Sequence, residues 1–169
     1  MKTEERISIS CTELVPVIRE VLAKGGTFVL LVTGSSMLPL LKHLKSEVRL
    51  ISPEVRLPKL YEIVFFMRDE KTYVLHRIVR CTEDGRFIIN GDAQNWTETI
   101  DPEQIIGVVD QVKRSRRWIS CDTAGYRIGV RLWVHLRPLR PIYFFIRRIA
   151  GKCLKILRFF ISRKNRQIK

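Results

Sequence analysis

Between Thr27 and Arg114 the sequence breaks into short apolar runs, and nothing else in it constrains the fold as tightly. FVLLV (28–32), VRLI (48–51), YEIVFFM (61–67), YVLHRIVRC (73–81), RFIIN (86–90) and QIIGVVDQVKR (104–114) follow one another. They are rich in valine, isoleucine, phenylalanine and tyrosine, which suit a pleated, half-buried surface. Segments such as SPEVRLPK and EDG separate them, and their Pro, Gly, Asp and Ser residues are the ones that turn a chain. FVLLV reads as a buried strand. Gly85, free to take positive φ, makes a hairpin of 73–81 and 86–90, and Gly107 marks a bulge. Ahead of them, TELVPVIREVLAK (12–24) places Leu14, Val17, Ile18, Val21 and Leu22 on one helical face and stops at Gly25-Gly26. The predicted class is mainly β, with curled antiparallel sheets and one short N-terminal helix.

Charge divides the chain differently. Up to Val112 there are 14 Lys and Arg against 16 Asp and Glu, and from Lys113 onward 17 against 1, giving +14 over 169 residues. A near-neutral body with a strongly basic tail calls for an anionic partner, either lipid headgroups or nucleic acid. The expected organisation is a β-rich domain over 1–124 and a basic amphipathic tail over 125–169. Within the tail, Ile142 to Ile161 reads as a helix with Ile142, Ile146, Ile149, Cys153, Ile156, Leu157 and Phe160 in one arc. Arg147, Arg148, Lys152, Lys155 and Arg158 lie opposite. Such a helix either packs its apolar stripe on the β domain or lies in a membrane interface. The second reading is preferred because no acidic residue relieves the basic face.

Nucleic acid is disfavoured: residues 1–26 offer one helix where a helix-turn-helix needs two, and bulky Phe, Ile and Leu fit lipid better than a duplex. No run approaches the roughly 20 apolar residues of a membrane span, and MKTEERISIS lacks the apolar core of a signal peptide. Cys11, Cys81, Cys121 and Cys153 are dispersed, without zinc spacing. The expectation is peripheral attachment to the cytoplasmic side of a membrane, with reduced thiols and no cofactor or metal.

VTGSSMLPLL (32–41) carries the chemistry. It sets Gly34, Ser35 and Ser36 before Met37, Leu38 and Pro39. A serine becomes a nucleophile when a neighbouring base takes its proton. His43 is close to Ser36 in sequence and sits among lysines, and His135 lies in the tail. His76 is central in a strand, a rigid platform for a base. On residues alone Ser36 with His76 is one possible pair, and a structural histidine is the commoner case.

The order V-T-G34-S-S36-M37-L-P39, then YEIVFF, then Y-V-L-H76-R-I-V, then I-I-N-G91-D92, then QIIGVV, resembles the type I signal peptidase clan of serine peptidases, which includes the self-cleaving phage and SOS-response repressors. The resemblance spans residues 27–112. It implies Ser36 as nucleophile and His76 as base, in the manner of the endoplasmic-reticulum and archaeal branch, with Asp92 supporting the imidazole; Asp101 competes for that role. Where many signal peptidases have an oxyanion-donating serine this chain has Gly34, as in the repressors. The oxyanion donors are then backbone N–H groups near Ser36, or Ser35, each worth about 10²–10³ in rate. Met37 and Leu38 are expected to pack against sheet or substrate, Arg77 to lie at the surface or anchor a loop, and Trp96 to rim a groove or plug it. The implied reaction is acyl transfer on a peptide or protein substrate bound as an extended strand. A non-catalytic peptide-binding accessory of the same fold is the alternative.

Overall fold

The computed structural model describes residues 11–68, 72–114, 116–146 and 148–150. They fall into two compact units that divide between Val134 and His135. The first unit is mainly β. Its single sheet has eight strands, all antiparallel neighbours: β1 (Phe28–Leu31), β2 (Ser46–Ile51), β3 (Ile63–Met67), β4 (Tyr73–Cys81), β5 (Phe87–Asn90), β6 (Glu98–Ile100), β7 (Ile105–Arg114) and β8 (Arg117–Ser120). The order across the sheet is β1-β2-β7-β3-β4-β5-β6, and β8 joins the far end of β7.

Helix α1 (Cys11–Ala23) buries Val15, Ile18 and Leu22, spaced three and four apart as one helical face requires. It ends where Gly25, at φ +74°, donates its N–H to Leu22 O and the Gly26 N–H returns to Val21 O, the left-handed termination that glycine permits. These side chains join Val48, Leu50, Ile63, Phe65, Ile106, Val109 and Val112 in a core on one face of the sheet. Val64, Phe66, Ile78, Ile89, Ile100, Ile105 and Val108 form a second core on the other face. With both faces covered, β3 reads as a continuous apolar run, as strands buried on two sides do.

β1 departs from expectation. Its side chains alternate between half-buried and exposed, with Val29 and Leu31 facing outward, because it is an edge strand paired only to β2. The irregularity expected near Gly107 is present: Phe65 pairs with Gly107 and Phe66 with Ile105, leaving Ile106 without an opposite residue. Three elements were not foreseen, namely β6, β8 and helix α2 (Ala124–His135).

In the second unit, residues 140–146 and 148–150 are helical. Ile142, Ile146 and Ile149 are exposed there, as is Phe145. The remainder of the amphipathic helix expected to run to Ile161 lies outside the described residues. Among the described residues no helix is long and apolar enough to cross a membrane.

Candidate active site

Ser36 sits in the loop joining β1 to β2. Val32 N–H donates to Ser46 O at 2.9 Å and Leu44 N–H to Val32 O at 2.8 Å, which ties the two ends of the loop together. Gly34 adopts φ +84°, and its N–H donates to Nδ1 of His43 at 2.9 Å. His43 is therefore a fastener within the loop, and the Gly34 N–H is not free for an oxyanion. Met37 is buried in the core beside Leu41, as expected, which anchors the turn while Ser36 stays half-buried and Ser35 exposed. The Leu38–Pro39 bond is cis.

The outer end of this loop reaches the opposite side of the sheet. The Ser36 carbonyl accepts the Ala93 N–H at 2.7 Å, although β1 and β6 are the two ends of the strand order. The sheet is curled enough to bring them together, in keeping with the twist of antiparallel strands. Gly91 makes the approach possible: a Cβ there would stand 3.0 Å from Ser36 O and closer still to the Gln94 side chain. Asn90 pairs with Arg77 on β4, so Gly91 falls at the level of His76.

His76 and Arg77 face opposite sides of β4, opposite Val64 and Ile63 respectively. His76 is 1% exposed. Its Nδ1 lies 2.9 Å from Oε1 of Glu98, the first residue of β6. Glu98 also receives two hydrogen bonds from Arg68, Nε and Nη2, each at 2.5 Å. A carboxylate held by a guanidinium is an acceptor, so the proton of the 2.9 Å contact resides on Nδ1, leaving Nε2 with its lone pair available. Phe66 and Trp96 flank the imidazole with ring centroids 6.0 Å away, Trp96 edge-on, and the Arg68 guanidinium lies over the Trp96 ring at 5.3 Å. Burial lowers the His76 pKa below its ordinary value, opposed by the Glu98 charge and hydrogen bond, and the ring is neutral near neutral pH.

On the other face Arg77 is fully buried, so of the two places its sequence context allowed it anchors loops rather than lying at the surface. Its Nε and Nη2 bind the two Asp92 oxygens at 2.9 and 2.7 Å, and Nη1 donates to Tyr61 O at 2.7 Å. Burial pulls its pKa down, and the Asp92 charge together with Tyr126 more than restores it. Burial pushes the Tyr126 hydroxyl up to about 12 and the Cys121 thiol up to about 11. Trp133 Nε1–H donates to Asp92 O at 3.3 Å.

The assignment of Asp92 to the imidazole is thus corrected: Asp92 follows Arg77 to its own side of the strand, and Glu98 holds His76. Asp101 is exposed at the start of the 3-10 turn Pro102–Gln104. Glu98 was missed because AQNWTETI reads as a loop. The one signal was the alternation of Glu98 with the buried Ile100, which puts both on one face of a three-residue strand. Among the described residues no hydrogen bond joins the Ser36 hydroxyl to His76, and no group of three His, Cys, Asp or Glu side chains could hold a metal ion. No protein-family model, curated protein or solved structure matches the chain.

Proposed function

We propose that this protein is a serine endopeptidase of the signal-peptidase-like kind, with Ser36 as nucleophile, His76 as general base and Glu98 orienting the imidazole. The observation that carries the reading is the carboxylate–imidazole pair. It fixes the proton on Nδ1 and leaves Nε2 able to accept one, and the serine-bearing loop is hydrogen-bonded to the segment beside it. Ser36 Oγ attacks a peptide carbonyl as His76 takes its proton, and the imidazolium, stabilised by Glu98, returns that proton to the leaving amine. Water then releases the acyl group by the same route. A fluorophosphonate probe should label Ser36 in the parent, and Ser36→Ala and His76→Ala should each lower peptide cleavage about 10³-fold or more. Folded variants that cleave and label like the parent would end this reading.

A second reading is a peptide-binding protein of the same fold without catalysis, favoured by the missing hydrogen bond between Ser36 and His76. A fully formed Glu98–His76 pair together with no labelling by any serine-directed probe would establish it.

The tail fits an anionic membrane surface rather than nucleic acid. No acidic residue follows Asp122, and Ile142, Ile146 and Ile149, spaced four and three apart, are exposed. Apolar burial and attraction to anionic lipid act together in such helices, and the cytoplasmic leaflet is the anionic one. Co-sedimentation should be strong with vesicles containing phosphatidylglycerol and weak with phosphatidylcholine alone at ~0.15 M salt. Equal binding to both, or preference for duplex DNA at that salt, would refute the assignment.

A further inference from the structure

We infer that the cavity beside the Ser36 loop binds a carboxylate side chain of a peptide, and that the substrates are peptides carrying Asp or Glu within about four residues of the scissile bond. The inference deepens the peptidase reading and rests on it for the position of the cut. The cavity, about 550 Å³, is lined by Pro39, Leu40, Lys42, Lys45, Ser46 and Arg114. Three of these are cations and none is an acid. Arg114 Nε is buried without a hydrogen-bond partner, an unfavourable state that an incoming oxyanion relieves.

The arrangement follows from the strands. Ser46 pairs with Arg114 and Glu47 with Lys113 across β2 and β7, so the two pairs point to opposite faces. The acid nearest in sequence, Glu47, is turned away and engaged by Lys113 at 2.9 Å. Among the described residues no ion pair occupies Lys42, Lys45 or Arg114. Lys42 N–H donates to the buried Ser46 Oγ at 3.0 Å and Ser46 N–H returns to Lys42 O, which fixes the backbone carrying two of the cations.

Distance selects a peptide as the source of the carboxylate. Pro39 and Leu40 are three and four residues beyond Ser36, so this wall lies within roughly 14 Å of the nucleophile even for a fully extended chain. A substrate strand covers that span in about four residues. Pro39 and Leu40 offer apolar surface to the methylenes of an acidic side chain, and the guanidinium and ammonium groups take its charge.

Two arms test this. In the first, full-length Ser36→Ala protein is titrated with a fluorescein-labelled peptide carrying one Glu and with its Gln counterpart. The Glu peptide should bind about 10-fold more tightly, and that preference should vanish in Lys42→Gln/Lys45→Gln and in Arg114→Gln. It should survive in Arg19→Gln/Lys24→Gln/Arg80→Gln, which removes three exposed cations elsewhere. Equal binding of the two peptides, or loss of the preference in the control variant, overturns the inference whatever the catalysis. In the second arm a random peptide library is digested by the parent, and Asp and Glu should be enriched within four residues of the cut. Cleavage without that enrichment overturns the inference and leaves the peptidase reading standing. A Glu preference in binding with no cleavage by the parent ends the peptidase reading and leaves a carboxylate-binding site.

Discussion

His76 and Arg77 are adjacent on one strand, equally buried, and built for different ends. Each of the three Arg77 nitrogens has a partner, two on Asp92 and one on a backbone carbonyl, and Tyr126 packs in the same network. Its charge is cancelled at once and in one geometry. His76 has a single partner on one nitrogen and is held neutral by burial against the pull of Glu98. A buried ion pair with every nitrogen engaged fixes structure, because any departure exposes an uncompensated charge to a dry interior. A buried imidazole with one nitrogen engaged and one open can exchange a proton, which is a property of chemistry rather than of scaffolding.

The sharpest way to break this comparison is on the scaffold side. Asp92→Ala leaves Arg77 buried and unbalanced and should cost about 3–5 kcal/mol of stability. Loosening of the Gly91–Ala93 segment that holds the Ser36 carbonyl should follow. Denaturant unfolding measures the first effect. In whatever fraction remains folded, the acid limb of the activity profile should move slightly to lower pH, and by less than in Glu98→Ala, because the Asp92 charge is the weakest influence raising the His76 pKa. A stable Asp92→Ala protein whose acid limb moves further than that of Glu98→Ala would mean that Asp92, not Glu98, governs the imidazole.

The β character of the chain was legible because burial on one face or both leaves its mark on each strand. The 73–81 run became β4 residue for residue, and Gly85, at φ +84°, turns the hairpin to β5 as its sequence suggested. β6 and β8 were not legible: three and four residues do not establish a period, and Glu-Thr-Ile and Arg-Trp-Ile-Ser acquire their conformation from the strands they join. α2 was obscured by arginines that interrupt its apolar positions. At the site, alternation along β4 correctly separated His76 from Arg77. It did not reveal that Arg77 points into the protein, because its burial depends on Asp92, fifteen residues away in the chain, arriving on the same face. The choice of acid for His76 was likewise a matter of which loop residue lands on which face, and sequence distance carries no information about that.

A smaller effect sharpens the histidine side. Glu98 is the one group whose charge and hydrogen bond both raise the His76 pKa, against desolvation and the nearby Arg68 charge that lower it. On the proposed mechanism the base acts when neutral, so kcat/KM of the parent should hold at neutral pH and fall as pH drops through a value below the ordinary 6.5. Glu98→Ala removes the main raising influence and keeps the lowering ones, so the acid limb should move to still lower pH. The rate at neutral pH should fall roughly 10- to 100-fold as the ring loses the partner that orients it. Stability should change less than in Asp92→Ala, because Glu98 is partly exposed and Arg68, once released, reaches water. The shift in pH separates orientation from mere packing: a cavity left by any side chain can slow the enzyme, but only loss of a negative charge beside the imidazole makes it easier to deprotonate. An acid limb that stays in place, or moves to higher pH, would show that Glu98 does not act on the imidazole and that the contrast between the two faces of β4 has been drawn in the wrong terms.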